Sequence, residues 1–240
     1  MPSDLKLGAR TRLLQVLTGR VEPLGQRREL TGIYKRQRSG RVTIGKAGIV
    51  GDMQGDAKHH GGPEKAIHHY AFDHYAQWKD ELAGRSACTF DAPGAFGENF
   101  STLGSTEADV NVGDTYGIGT AVIQVSQARQ PCWRLNVRFA VDEMALRVQT
   151  SGRTGWYYRV LKPGAAAAGD DLELLDRPNV DWPLSRLLHY LYVDRLNGEA
   201  LREIAGLPFL SESWRTLAMQ RLNRLTVEDW TRRLQTPAVA

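Results

Sequence analysis

The stretch SQARQPCWRLN, residues 126–136, sets one of only two cysteines directly behind a proline and between two arginines. Arg129 lies three residues before Cys132 and Arg134 two residues after it. Two guanidinium groups that close to a thiol favour the thiolate, the form that attacks electrophiles and binds soft metals. A cysteine in this setting is a nucleophile, a metal ligand or a small buried hydrophobe. The residues by themselves leave the three roles open. The other cysteine, Cys88 in SACTF, reads as packing.

Three further stretches carry groups that chemistry can use. In KHHGGPEKAIHHY, residues 58–70, Gly61-Gly62-Pro63 forces a turn and lets another group approach the backbone. Lys58, His59, His60 and Lys65 surround that turn with donors, a pattern suited to an anionic or phosphorylated ligand. A plain Gly-Pro turn with surface cations fits as well. Zinc on His60, His68, His69 and His74 is disfavoured, because neither a Cys-x-x-Cys nor a His-Glu-x-x-His spacing is present. In AFGENF, residues 95–100, Glu98 and Asn99 follow Gly97 and can hydrogen-bond a heterocycle edge or simply close an Asx-type turn. In SGRTGWYYRV, Arg153 and Trp156 offer a cation and an aromatic wall, or merely a helix end and a strand start.

The elements that must hold these groups read as two kinds. Residues before about 180 are rich in short strands with Gly and Pro turns, the texture of a barrel or sandwich. Strands are expected in RLLQVLTGRV and GRVTIGKAGI, and a hairpin at residues 115–125 turning at Gly119. Another strand pair is expected at residues 156–161 and 172–175, with a turn at Pro163-Gly164. Phe72, Tyr75, Trp78 and Leu82 share one helical face, and VDEMALRVQTSG predicts a helix with Asp142 and Glu143 in its first turn. After Pro178 and Pro183 the period becomes helical, with Leu184, Leu187, Leu188 and Leu191 at three-four spacing. Further helices are expected in GEALREIAGL, SESWRTLAMQRLNRL and TVEDWTRRL, the last capped by Thr226. The division is a β-rich domain over residues 12–177 and a small three-helix domain over residues 183–235.

Composition narrows the class. The chain has 240 residues, 42% hydrophobic and 24% charged, with a net charge of +4. That charge mildly favours anionic ligands but does not argue for nucleic acid. Residues 211–235 hold five arginines against three acids, far short of the basic stripe of a DNA-binding helix. No apolar run is long enough for a membrane span, and the first residues do not form a secretory signal. A cytoplasmic protein with reduced thiols is expected.

Taken in order, KHHGGPEKA, FGENF, GDTYGIGTAVIQVSQARQPCWRLN and GRTGWYYRVL resemble the MOSC domain family, named for the C-terminal part of molybdenum cofactor sulfurases. The likeness is to its stand-alone bacterial members of the 6-N-hydroxylaminopurine resistance type, and it extends over the helical tail. The resemblance implies a β-barrel like that of pyruvate kinase, followed by a small C-terminal three-helix domain. It implies that Cys132 ligates molybdenum carried by molybdopterin. It maps the remaining motif positions onto Lys58, His60, Gly61 and Gly62, onto Glu98 and Asn99, and onto Ser126 and Arg129. Arg134 and Arg153 join them as nearby cations. Glu64 stands where Asp is expected, and Trp133-Arg134 where an aromatic and Lys are expected; both keep the chemical type. The pyridoxal-phosphate domain of the sulfurases has no counterpart here.

The activity so implied is reduction of N-hydroxylated compounds, hydroxylaminopurine base analogues among them. The chain carries neither an iron–sulfur cysteine set nor a Gly-x-Gly-x-x-Gly motif. A separate electron-donor reductase is therefore expected as partner, and a homodimer is compatible with the sequence. The alternative is a carrier that binds the molybdenum cofactor, or its sulfur, without turnover.

Overall fold

Apolar residues in period two make short strands, and these strands close on themselves. The computed structural model describes residues 7–56 and 61–238. Its strands are β1 (Arg10–Thr18), β2 (Glu22–Leu24), β3 (Glu29–Thr31), β4 (Arg36–Gln37), β5 (Val42–Gly45) and β6 (Gly48–Ile49). They continue with β7 (Ile67–His69), β8 (Phe100–Thr102), β9 (Thr115–Ile118), β10 (Ala121–Ala128), β11 (Trp156–Lys162), β12 (Gly164–Ala166) and β13 (Asp171–Asp176). Seven of them form a closed mixed barrel in the order β13, β9, β10, β11, β7, β8, β1, with β1 returning to β13 at Thr11↔Leu172. Every pairing is antiparallel except β7 with β8. Closure leaves the barrel strands no free edge along the ring.

The helices are α1 (Asp73–Glu81), α2 (Arg134–Phe139), α3 (Met144–Ser151), α4 (Leu184–Tyr192), α5 (Gly198–Gly206), α6 (Glu212–Arg224) and α7 (Thr231–Leu234). Leu184, Leu187, Leu188 and Leu191 of α4 and Trp214 of α6 enter the same apolar cluster as the barrel residues Ile123, Val125 and Trp156. A second cluster packs α1 against α2 and α3 through Tyr75, Trp78, Leu135, Phe139 and Val148. None of the described helices is long and apolar enough to cross a membrane.

Four local expectations are corrected. GRVTIGKAGI is not one strand but a tight hairpin of β5 and β6, with Ile44 opposite Ile49. Gly164 is not only a turn residue: it starts β12, which pairs with β5. Thr226 does not cap a helix. Residues 226–230 are non-helical, and the short α7 starts at Thr231, whose amide donates to Asp229 Oδ1 at 2.8 Å. Asp142 and Glu143 precede α3 rather than filling its first turn.

Candidate functional site: two cavities that meet at Cys132

β10 carries the chain out of the barrel into the Arg129–Trp133 loop, which leads straight into α2. The Arg129 amide donates to the Gly155 carbonyl at 2.9 Å, and the Leu135 amide donates to the Cys132 carbonyl at 3.0 Å. The other side of the loop is tied to the C-terminal segment. The Trp133 amide donates to the Arg233 carbonyl at 2.7 Å, Arg233 Nη1 donates to the Pro131 carbonyl, and Asn136 Nδ2 donates to the Leu234 carbonyl at 2.9 Å. Residues 233–234 thus strap a loop about a hundred positions earlier in the chain.

Cys132 lines two cavities. The inner one is walled by Lys35, Lys65, His68, Asn99, Arg129 and Tyr157 among others. The outer one is walled by Gln127, Trp133, Trp230 and Arg233 among others. Asp56, Lys65, Arg134 and Tyr157 line both.

The inner cavity is biased toward cations. Lys35 is paired with Asp52, yet burial still draws its ammonium below the usual lysine range. Burial likewise lowers Lys65, against the opposing pull of Asp56 and Cys132. Arg134 Nη2 lies 3.8 Å from Asp56 Oδ2. Arg129 is only 7% exposed, and its Nη1 has no hydrogen-bond partner among the described residues. His68 is neutral: burial, and then the charge of Arg129, hold it well below 6.5. Its Nδ1 faces the Gly97 carbonyl at 3.2 Å, so the neutral ring carries its proton on Nδ1. Burial raises the Tyr157 phenol, opposed by Arg129.

Of the residues singled out in the sequence, Cys132, Asn99, Arg129 and Arg134 line the inner cavity. Asn99 is fixed at both ends. Its Oδ1 accepts from the His68 amide at 3.0 Å, and its Nδ2 donates to Leu17 O at 3.1 Å and Asp52 Oδ2 at 2.9 Å. Glu98 does not face the cavity. Its buried carboxylate accepts from the Gly94 amide at 2.6 Å, the Phe96 amide at 3.1 Å and the Tyr75 hydroxyl, and so braces the loop. Gly97 holds φ +76°, and a Cβ there would meet Ile33 Cγ1 at 2.9 Å. Ser126 Oγ donates to the Glu64 and Tyr157 carbonyls, fastening the Gly-Gly-Pro turn to β10. Gly61 and Gly62 enter that turn without lining either cavity, and Gly62 takes φ +99°. Arg153 lies elsewhere, bonded to both Glu81 oxygens at 2.8 and 2.9 Å and 3.6 Å above the Trp78 ring. Lys58 and His60 lie outside the described residues.

The sequence reading did not assign Lys35, Asp52 or Tyr157 to the site, and it weighed His68 only for zinc. Lys35 and Asp52 sit in loops flanking the β5–β6 hairpin and carry no local signature. Tyr157 adjoins Trp156, where an aromatic wall was expected. His69 and His74 are engaged structurally, the first with Tyr158 and Thr102, the second with Glu107.

Known proteins resemble this chain. A model of the MOSC domain matches residues 56–173, and a model of the YiiM-like 3-alpha helix domain matches residues 182–225. Protein YiiM of Escherichia coli is 36% identical over 222 residues, covering 92% of this chain and 97% of its own. The chain belongs to the MOSC family. The solved structure of that E. coli protein superposes on this MOSC chain with a TM-score of 0.80 at 32% identity, covering 95% of this chain and 99% of the other. An uncharacterised protein of Bacillus subtilis, YflK, is 40% identical over 195 residues, which make up 81% of this chain and 86% of YflK. A protein of Gibberella moniliformis named "Reductase" is 35% identical over 212 residues, 88% of this chain but 37% of that longer protein. The MOSC family is associated with the molybdenum cofactor. The strap through Trp230 and Arg233 lies beyond the residues that the helical-domain model matches.

Proposed function

We propose that this protein binds the molybdenum cofactor in the inner cavity and reduces N-hydroxylated compounds, hydroxylaminopurine base analogues among them, with electrons from a separate reductase in the cytoplasm. The observation that carries the reading is the set Cys132, Lys65, Arg129 and Arg134 around one cavity. A buried guanidinium with an unfilled donor is costly unless an anion meets it. A thiolate is a soft ligand suited to such a metal. These residues therefore fit a phosphorylated cofactor ligated through sulfur.

Cys132 would be the protein ligand, Arg129 and Lys65 would meet the anionic part, and Asn99 would hold its heterocycle edge. Lys58 and His60, outside the described residues, complete the proposed set, while Gly61 and Gly62 shape the turn that carries them. Arg134 serves both cavities. Ser126 and Glu98 support the site from behind: Ser126 holds the turn and Glu98 the loop, whereas Arg153 serves the α1 packing away from it. When bound, the cofactor supplies a two-electron redox couple for breaking an N–O bond. The overall change, R–NH–OH to R–NH₂, takes two electrons and two protons and releases water. The protein's part is to exclude water, position the substrate and keep the thiol deprotonated. The relative named "Reductase" supports the class of activity, although this chain spans 37% of its length.

A carrier that binds the cofactor without turnover is separated from an enzyme by one comparison. Molybdenum and pterin content after reconstitution is measured for wild type and Cys132→Ala, and then reduction of 6-hydroxylaminopurine with a donor system is assayed. One metal per wild-type chain, absent from the variant, is the expected result. Loading without turnover favours the carrier. Equal metal in both proteins removes Cys132 as ligand.

A further inference from the structure

The positive charge of the chain is not spread evenly. Residues 20–38 hold five arginines and one lysine against two acids, an excess equal to the +4 of the whole chain. Three of these six cations are neutralised locally. Arg36 donates to the two Glu22 oxygens at 2.6 and 3.2 Å, Arg27 lies 3.5 Å from Glu29, and Lys35 pairs with Asp52. Arg20, Arg28 and Arg38 are exposed, and their side chains make no ion pair or hydrogen bond among the described residues. The backbone gathers them into one band. Arg28 sits in the turn of the β2–β3 hairpin, its amide donating to the Gly25 carbonyl at 3.1 Å, and the buried Leu24 pins that hairpin into the second apolar cluster. β4 runs antiparallel to the end of β1, so Arg36 and Arg38 lie along the strand that leads into Arg20. Between Arg28 and Arg36 the chain is itself a wall of the inner cavity, through Thr31, Gly32, Ile33 and Lys35. Exposed apolar side chains accompany the arginines. Leu30 is 56% and Met53 49% exposed. The Met53 amide donates to the Gly19 carbonyl at 2.9 Å, next to Arg20, and a Cβ on Gly32 would collide with the Met53 carbonyl.

We propose that this band is the docking surface for an acidic electron-carrier protein, whose carboxylates meet Arg20, Arg28 and Arg38 and whose apolar centre covers Leu30 and Met53. Exposed apolar groups set among arginines are the anatomy of a protein interface. Unpaired surface cations steer an acidic partner and fix its orientation. The position fits the role, because the segment that bears the band also walls the inner cavity, whereas no residue of the helical domain lines it. A nucleic acid is the poorer occupant. It needs a continuous basic stripe, but half of the cations here are already spent on carboxylates, and Leu30 and Met53 offer nothing to a phosphate. Two carriers, each oxidised by one electron, supply the two electrons of the N–O reduction above, and water supplies its two protons. The electron-donor role rests on the molybdenum reading above; the docking surface does not.

The test uses the full chain without reconstitution, and again after it. Binding of a flavodoxin and of a two-iron plant-type ferredoxin, both acidic one-electron carriers, is measured by interferometry at low and high salt. Arg20→Glu/Arg28→Glu/Arg38→Glu reverses the band. Arg202→Glu/Arg215→Glu/Arg224→Glu makes the same change of net charge on exposed arginines of the helical domain. At least one carrier binds wild type and loses affinity as salt rises. Reversal of the band weakens it by about tenfold or more, and the helical reversal by less than about threefold. Leu30→Ser weakens it by about threefold. In turnover of 6-hydroxylaminopurine, reversal of the band raises the KM for the carrier while the rate with reduced methyl viologen, a small donor, stays unchanged. Failure of both carriers to bind wild type, or equal weakening by the two reversals, overturns the proposal. So does a poly(U) RNA that binds more tightly than either carrier and is lost on reversal of the band, which would make it a nucleic-acid surface. Viologen-driven turnover without any effect of the band on the carriers removes the surface and keeps the cofactor reading. Carrier binding lost on reversal of the band, in a protein that takes up no molybdenum, keeps the surface and removes the cofactor reading.

Discussion

The two cavities that meet at Cys132 solve opposite problems. The inner one concentrates cations that the fold does not fully neutralise: Arg129 keeps an unpartnered donor, and Lys65 is buried enough to lose basicity. The outer one shares Asp56, Lys65 and Arg134 with it but adds Trp133, Trp230 and Gln127, and ties its own Glu228 to Arg221 and its Arg233 to the Pro131 carbonyl. The inner wall comes mainly from barrel strands and the loops between them; the outer roof comes from the segment after α6. An unsatisfied buried charge is an electrostatic cost kept for a ligand, whereas a satisfied network is kept for shape. The difference implies that mutations on the two sides separate binding from stability in opposite ways.

The largest expected effect is on Arg129. Arg129→Met removes a buried, incompletely satisfied charge, so the apo protein should unfold no earlier in urea than wild type. Molybdenum uptake on reconstitution should nevertheless fall by about 100-fold, the scale of losing a charge-assisted contact in a desolvated pocket. Parallel loss of stability and uptake would mean that Arg129 is structural, and the contrast between the cavities would fail.

Arg153→Met is the reciprocal experiment. It removes a bidentate pair with Glu81 and a guanidinium stacked on Trp78, both remote from the cavities. Stability should drop by about 2 kcal/mol, with molybdenum uptake per folded chain unchanged. Arg153 also shows what sequence reading misses. A cation near a motif looks like a ligand until the fold supplies Glu81, seventy-two positions away. Glu98 is the same lesson with the other sign: the GEN triplet was legible, but whether its carboxylate faces a cavity or instead two amides of its own loop and the Tyr75 hydroxyl of α1 depends on packing. Cys132, Arg129 and Arg134 were legible because one loop carries them together. The barrel was legible because alternation and Gly turns are local signals. Lys35, Asp52 and Gln127 were not, since their placement depends on which loops meet after the barrel closes. The C-terminal strap was hidden because each of its contacts ends on a backbone carbonyl distant in sequence, which no residue type announces.

A smaller effect per unit of pH comes from the histidines behind the inner cavity. Burial pushes His69 down to about 3, and its ring stacks on Trp156 at 4.3 Å. The unfolded chain takes up that proton near the ordinary histidine value of about 6.5, whereas the folded chain does not. Stability therefore declines as pH falls from there toward the folded value, with His68 acting in the same direction. The raised carboxyl of Glu98 opposes the trend, since the folded chain protonates it first. Urea unfolding at pH 7.5, 6.0 and 5.0 isolates the His69 share: His69→Gln should be less stable at pH 7.5, with a slope shallower by about 1.4 kcal/mol per pH unit. An unchanged slope would show that the imidazole titrates alike in the folded and unfolded chains.

The smallest expected effect sharpens the border between the cavities. Arg233 donates to the Pro131 carbonyl and to Gln149 Oε1, so Arg233→Ala releases one bond to the Cys132 loop and one to α3, while the backbone bond from Trp133 to Arg233 survives the substitution. Each lost hydrogen bond to a charged donor costs about 1.5 kcal/mol at a buried site and less at a half-buried one, so global stability should fall by only about 1 kcal/mol. The informative readout is local. Alkylation of Cys132 by iodoacetamide should accelerate about threefold, because opening of the strap then needs less free energy than global unfolding. Cys88, whose thiol donates to the Arg138 carbonyl on the other side of α2, should react at its wild-type rate and serves as the internal control. Acceleration at both cysteines would mean general loosening; acceleration at Cys132 alone would make the strap a specific brace for the cysteine that lines both cavities.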